Sequence, residues 1–580
     1  MSCKNGFYRT LTKSSILEVS LFNLKKQFCT SLFTIFIALS FLNSNTFAQE
    51  EKETLNQRLD RLEKQNEEFR KLLEQKNGLL YPNPAEKELT KTTSLNNTLA
   101  DILALPTLGV EAVPGADGKQ DNAKIPNQFK WTWKDGLKAE TENKDFTFHL
   151  MTSVQFDNGW YSVGDNIQTT MDTRLNDGSD LRRARVRAEG NIYKQFEYQF
   201  NFDVSGGSDF RTILADPQAP LFITEAWMAM NEIPIIGQIR VGHQKEFMTF
   251  SNSTSHRFQA FMERPLVFDA YEDGFQFSNG ISMMNTYFDK HVNFWMGFFR
   301  TGTRTGAFGV GDGRYAFDQR VCYFPILDKE NQKWFVLSAA GSIRTLPYTT
   351  QILPGGSTTL MPNTRFFTRP TIRAGGGFQV PRVISTPTLY SDDGESVLGL
   401  SAQSAIGPVT FGGEYVSTYL GESYLNTLPG YVTPSTGGGR AAQSIGNNTF
   451  DGFYVHLMCF LTPGDHRDVN PDNPGWTRIK PVRPFQLRRT DDGNISRGPG
   501  AWEVKFRYDN AGFNNPLFLQ SFIPVAQSGG NYQVFTGGLN WYLNPNMKVM
   551  ADYTYNLRST GQSFGDGNFS AFGMRTQMDF

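Results

Sequence analysis

The stretch LRRARVRAEG places Arg183, Arg185 and Arg187 at every second position, with Ala184, Val186 and Ala188 between them. On a strand, alternate residues share a face, so the three guanidinium groups form a row spaced about 7 Å apart. A guanidinium stays charged at physiological pH and grips phosphate or carboxylate oxygens as a planar fork. Set along a wet wall, such a row concentrates anions and lowers the barrier to their passage. The same side chains also fit a second role, pairing with carboxylates on a facing loop and stiffening the wall; Asp180 and Glu189 are close by. A further group, Arg365, Arg369 and Arg373, surrounds Pro370. It reads either as an outer loop that collects anions or as loop bases that bind lipid phosphates. Catalysis finds no comparable pattern. The six histidines (His149, His243, His256, His291, His456 and His466) have no spacing that suggests a triad or a metal site. No catalytic residue, cofactor or metal is expected, and a surface protease or lipase is the weakest reading.

An arginine row needs a strand wall to carry it, and residues 501–580 provide the pattern. In AWEVKFRYDN, Trp502, Val504, Phe506 and Tyr508 point one way and Glu503, Lys505, Arg507 and Asp509 the other. Val549, Ala551, Tyr553, Tyr555 and Leu557 oppose Lys548, Asp552 and Asn556 in the same way. In the last run, Phe572, Met574, Met578 and Phe580 oppose Arg575, Gln577 and Asp579. A tight turn at Asn544, Pro545 and Asn546 contrasts with long Gly/Asn/Ser-rich connections near 510–531 and 558–568. Short turns at one end and long loops at the other predict an all-β transmembrane barrel of the outer-membrane kind, apolar outside and polar inside. By strand parity the proline-rich stretch 463–484 is expected outside, as a surface loop.

The amino-terminal part differs in character. Lys25 and Lys26 precede an apolar core near 28–42, and Thr46, Phe47 and Ala48 resemble a small-residue cleavage site, so 1–48 reads as a secretory signal. Leu55, Leu59, Leu62, Asn66, Phe69 and Leu73 step by 4, 3, 4, 3 and 4, a heptad seam that predicts a parallel coiled coil over 49–76. One amphipathic helix packed on the barrel is the alternative. Residues 77–128, punctuated by Pro82, Pro84, Pro106, Pro114 and Pro126, read as a linker that gives the coil reach into the periplasm. Removing 1–48 leaves 51 basic and 56 acidic residues, a net charge of −5, which argues against nucleic-acid binding. Cys322 and Cys459 are far apart and predict neither a disulfide framework nor a metal motif.

In chain order, RRARVRAEG, YQFNFDVSG, TEAWMAM, IRVGHQKEF and RFQAFMERP resemble the phosphate-selective porin O and P family. So do RYAFDQRVCYFP, SAQSAIGPVTFGGEYV, GFYVHLMCFLTPG, GAWEVKFRYDN, GGLNWYLNPNMKVMADYTY and FGMRTQMDF. The resemblance spans about 129–580 and implies a sixteen-stranded barrel that forms a homotrimer in the outer membrane of a Gram-negative-type bacterium. It implies internal loops that narrow each pore. A terminal Phe such as Phe580 is, in outer-membrane barrels, part of the signal read by the assembly machinery. The segment 243–264, similar to the family's inward-folding region, offers Lys245, Arg257 and Arg264 interleaved with Glu246 and Glu263. Residues 232–273 carry four basic side chains (Arg240, Lys245, Arg257, Arg264) against six acidic ones (Glu232, Glu246, Glu263, Asp269, Glu272, Asp273). A phosphate filter calls for a cationic neck, so these residues favour passage of small anions or general solutes over strict phosphate selectivity. The expected partners are a second and third copy, outer-membrane lipids, the assembly machinery and small anionic solutes. A different class of function is a barrel anchor whose coil tethers the outer membrane to the cell wall.

Overall fold

A computed structural model describes residues 129–580 apart from 206–221, 273–275, 303–313, 353–357, 375–379, 426–442, 490–494, 520–522 and 561–564. The expected signal segment, the coil seam Leu55, Leu59, Leu62, Asn66, Phe69 and Leu73, and the linker lie outside the described residues.

Sixteen antiparallel strands form one closed ring. They are β1 (Thr147–Val163), β2 (Gly178–Ile192), β3 (Phe196–Asp203), β4 (Phe222–Ile233), β5 (Gly237–Lys245), β6 (Phe277–Tyr287), β7 (Val292–Arg300) and β8 (Tyr315–Asp328). Then follow β9 (Lys333–Arg344), β10 (Glu395–Ile406), β11 (Val409–Leu425), β12 (Gln443–Phe460), β13 (Ala501–Phe513), β14 (Gly530–Asn544), β15 (Met547–Ser559) and β16 (Gly567–Asp579). Each pairs with its sequence neighbour, and β16 closes on β1 from Phe569 opposite Val163 to Asp579 opposite Ser153. Closure leaves no unpaired strand edge for lipid to meet, which is what permits a β-structure to cross a bilayer.

The alternation read from the sequence sets the two faces. In β13, Glu503, Lys505 and Asp509 are fully buried in the barrel interior while Phe506, between them, is 60% exposed on the outer face. Both faces suit their solvents, hydrocarbon outside and polar contacts inside. Connections at one end are short: 193–195, 234–236, 288–291, 329–332, 407–408 and 545–546. The two-residue turn 407–408 uses Gly407 at φ +54°, where a side chain is disfavoured. The other end carries the long connections, among them 246–276 and 345–394.

Two features depart from the sequence reading. The stretch 463–484 lies at the short-turn end, because 461–500 joins β12 to β13. The expectation counts one crossing too many: from the closing strand backward, β13 alone separates 461–500 from the connection 514–529 at the long-loop end, so parity itself assigns 463–484 to the short-turn end. The ring also begins at Thr147 rather than near 129. Residues Phe129–Trp133 and Leu137–Thr141 form a hairpin whose second arm pairs with the foot of β1. There the Trp133 ring meets Phe580 at 5.3 Å, and Phe580 exchanges backbone hydrogen bonds with Thr152 of 3.0 and 2.6 Å.

The loop 246–276 folds into the lumen. Its described residues form two short helices, Phe250–Ser253 and Leu266–Tyr271, and one 3-10 turn, so most of their peptide groups need partners from elsewhere. The wall supplies them. Glu414 of β11 accepts from the amides of Phe250 and Ser251 at 2.6 and 3.0 Å. Asp552 of β15 accepts from Met262 N and Asp509 of β13 from Leu266 N, both at 3.0 Å. Lys505 Nζ donates to Ala260 O, Lys548 Nζ to Gln259 O and Arg507 Nη1 to Glu263 O, at 2.7, 2.7 and 3.0 Å. Above this, Leu266, Val267 and Tyr271 pack with Phe366, Ile384, Phe450 and Phe513. Glu414→Ala strands two buried N–H groups, at about 1–3 kcal/mol each. The barrel is expected to close normally, while hydrogen exchange across 246–254 speeds up by about 1.5 to 4 orders of magnitude, about tenfold per 1.4 kcal/mol; unchanged exchange would show that the carboxylate does not hold the loop.

Candidate functional site

The inward loop leans on β13–β16, and the space it leaves lies against β1–β6. A cavity of about 320 Å³ opens there. Its lining includes Arg185 and Arg187 from β2, Arg240 and Lys245 from β5, and Arg257 from the loop. The opposing carboxylates are Glu197, Glu225 and Asp472. Five cations thus face three carboxylates around one cavity. Trp227 forms an apolar corner, and the Arg240 guanidinium lies 3.7 Å from its ring centroid.

The arginines of β2 differ from one another. Arg185 Nε donates to Asp203 at 2.8 Å, and its Nη1 approaches His256 Nδ1 at 3.2 Å. That donor leaves the His256 proton on Nε2, 2.9 Å from Ser153 Oγ. Burial, then the charges of Arg185 and Arg183, hold His256 well below its ordinary pKa, so the ring stays neutral. Arg187 pairs with Glu189. Arg183 donates to Gln155 at 2.8 Å and lies 3.6 Å from Glu263. Along this one row, the upper rungs pair with the facing loop and the lower ones border the cavity.

A register shift between Gln155 and Phe156 opposite β2 turns Arg182 inward as well. The sequence alternation assigns Arg182 to the outer face; the bulge reverses it. Arg182 meets Glu263 through two hydrogen bonds of 2.9 and 3.0 Å. Glu263 also bonds Arg575 at 2.9 Å and lies 3.9 Å from Arg373, so one loop carboxylate gathers four guanidinium groups.

The other sequence candidates fall in two places. Lys245 lies at the cavity, with Nζ donating to Asn252 O at 3.1 Å, and Arg257 lies at the cavity with its guanidinium 5.2 Å from the Phe258 ring. Arg264 sits away from it, donating to the backbone carbonyls of Ser251 and Thr254 within the loop. Arg369 and Arg373, read as members of an outer loop, are buried against Asp269 at 2.5 and 3.1 Å. Glu225 and Asp472 carry no signal in the sequence reading, and Arg240, counted there among the basic residues of 232–273, lies at the cavity. Arg240 alternates with Gln238 and Gln244 on the polar face of its strand, a signal that was available.

Asp472 arrives from 461–500, which rises into the lumen from the short-turn end. Lys290 Nζ donates to Asp472 at 2.6 Å. Arg467, fully buried, donates to both Glu503 oxygens at 2.8 Å and to Tyr542 at 2.9 Å. Trp476 packs edge-on against Phe250 of the inward loop, centroids 5.7 Å apart.

A closed sixteen-stranded ring, apolar outside, narrowed by an inward loop that leaves a charged cavity, defines an outer-membrane porin. The family model described as "Phosphate-selective porin O and P" matches residues 154–580, and the chain belongs to that family. It is similar to Porin O of Pseudomonas aeruginosa, 23% identical over 460 residues, covering 75% of this chain and 89% of that protein. Among solved structures it is similar to OmpT of Vibrio cholerae, with 9% identity, TM-score 0.39, and 75% and 98% of the two chains covered. For Salmonella typhi OmpF the figures are 12%, 0.40, 76% and 100%. For OprB of Pseudomonas putida they are 10%, 0.41, 76% and 95%.

Glu263→Gln removes the shared partner of four arginines. Breaking a buried pair from one side costs about 3–5 kcal/mol, so the thermal midpoint of the folded barrel is expected to fall. The Arg182→Met/Glu263→Gln double variant is expected to recover part of that loss; strictly additive losses would show that the two groups are not coupled.

Proposed function

We propose that the chain is a trimeric porin whose water-filled passage prefers small anions, phosphate among them, without strict phosphate selectivity. The observation that carries this reading is that five basic side chains, Arg185, Arg187, Arg240, Lys245 and Arg257, border one cavity below the inward loop, two of them held by carboxylates behind them. Entering solutes exchange part of their hydration for contacts with Arg185, Arg187, Arg240, Lys245 and Arg257. The carboxylates Glu197, Glu225 and Asp472 keep any single anion from binding too tightly, which conduction requires. Arg183 and Arg264 contribute indirectly, by holding the loop that shapes the cavity. The resemblance to the family supports assembly as a homotrimer. It also supports reading Phe580 as part of the signal taken up by the assembly machinery. The heptad seam Leu55 to Leu73 and the proline-punctuated stretch after it support a periplasmic coiled coil on a linker.

The test is the reversal potential of purified trimers in a planar bilayer under a KCl gradient. Wild type is expected to favour chloride, and the Arg187→Ala/Arg257→Ala double variant to lose most of that preference, with single-channel conductance retained. The preference is expected to shrink as ionic strength rises and the Debye length falls from about 10 Å at 0.1 M to about 3 Å at 1 M. Equal permeability of the two ions in wild type would overturn the anion reading and leave a general porin.

A further inference from the structure

The connection 461–500 enters the lumen with its first half and leaves it with its second. Past Lys480 the chain forms a small hairpin of its own, Gln486–Arg489 against Ile495–Gly498. Leu487 stands opposite Arg497, and Arg489 opposite Ile495. Alternation puts all four on one face, two apolar and two cationic. Leu487 is 69% and Ile495 52% exposed, and Val482 at the root is 61% exposed. Lys480, Arg483, Arg488, Arg489 and Arg497 are also exposed. No residue among 479–489 and 495–500 is acidic; the sequence between the arms carries Asp491 and Asp492.

The root of this hairpin fixes its level. Phe485 N donates to Leu543 O at 2.6 Å, and its ring meets Trp541 edge-on at 4.9 Å. Trp541 stacks on Trp502 at 5.0 Å, and both indole N–H groups donate to Pro499 O, at 2.9 and 3.1 Å. These tryptophans occupy outward positions at the short-turn ends of β13 and β14. That is where membrane barrels carry their aromatic girdle, level with the headgroups, and short turns face the periplasm. The hairpin therefore starts on the lipid side of the wall, at the inner-leaflet boundary.

We propose that hairpin 486–498 rests on the periplasmic leaflet of the outer membrane and binds anionic phospholipid headgroups. Leu487 and Ile495 enter the acyl boundary, as the apolar face of an interfacial element does. The exposed arginines meet headgroup phosphates, with which guanidinium forms charge-assisted forked hydrogen bonds. This occupant accounts for the two properties together, since a neutral surface would leave the cations unmatched and free phosphate would leave the apolar pair in water.

The test uses the full chain with its four cysteines, Cys3, Cys29, Cys322 and Cys459, changed to Ser as background and Ser496→Cys labelled with a fluorophore, reconstituted into phospholipid vesicles. Quenching by headgroup spin-labelled phosphatidylglycerol is compared with quenching by the phosphatidylcholine analogue at equal density. The expected result is severalfold stronger quenching by phosphatidylglycerol, falling to parity in Arg489→Gln/Arg497→Gln and weakened by high salt. Leu487→Ser/Ile495→Ser is expected to reduce quenching by both lipids. Folding of each variant is read from its heat-modifiable mobility and its channel conductance, which are also independent of the anion preference. Equal quenching by the two lipids in wild type overturns the proposal. So does a fluorophore that stays in water, or one shielded only as trimers crowd, which would assign the face to another copy of the chain.

Discussion

Everything inside this barrel depends on how a loop without regular structure gets its peptide groups satisfied at membrane depth. A strand hands its hydrogen bonds to its neighbours, but the loop 246–276 has almost no neighbours of its own kind. The wall answers with side chains. Carboxylates at Glu414, Asp509 and Asp552 take its amides, and Lys505, Arg507, Lys548 and Asn540 take its carbonyls. A stranded buried N–H or C=O would cost about 1–3 kcal/mol, so a charged lumen face on β13–β16 is the condition for having a narrow pore at all. The polar face of these strands is a clamp, and the solvent-filled space is displaced to the opposite wall.

That displacement gives the arginines of β2 their mixed character. Near the loop, Arg182 and Arg183 are drawn to Glu263 together with Arg373 and Arg575. Asp269 takes up part of Arg373 and Asp157 part of Arg575, so four cations meet three carboxylates here. Farther along, Arg185 and Arg187 keep local partners at Asp203 and Glu189 yet still border the cavity. The two roles that the alternation allows, wall stiffening and anion attraction, are thus divided along one strand.

How much of this was legible follows from the range of the interactions. Strand faces in 501–580 were readable because alternation is local, and the structure keeps every one of those assignments. The inward fold of the loop was implied by its resemblance to the family region. The clamp was not readable: Lys505 and Ala260 are 245 residues apart, and nothing in EVKFRYD tells a wall facing water from one facing peptide groups. Arg182 escaped because a single extra residue in β2 inverts the facing of its neighbours, and a bulge leaves no mark in composition. The location of 463–484 was legible: 501–513 is the single crossing between it and the long connection that follows, which puts it at the end of the ring that carries the Asn544–Asn546 turn.

The seam of the ring carries one more consequence. Arg575 on the closing strand grips Asp157 on the opening strand at 2.7 and 2.6 Å, and with the same guanidinium reaches Glu263 and the Met262 carbonyl of the loop. Closing the circle and swallowing the loop are therefore a single event as far as this side chain is concerned. A ring zipped shut around an empty bore would enclose a guanidinium with half its partners missing, and would reopen more readily than a filled one. One side chain thus ties the closure of the ring to the seating of the constriction.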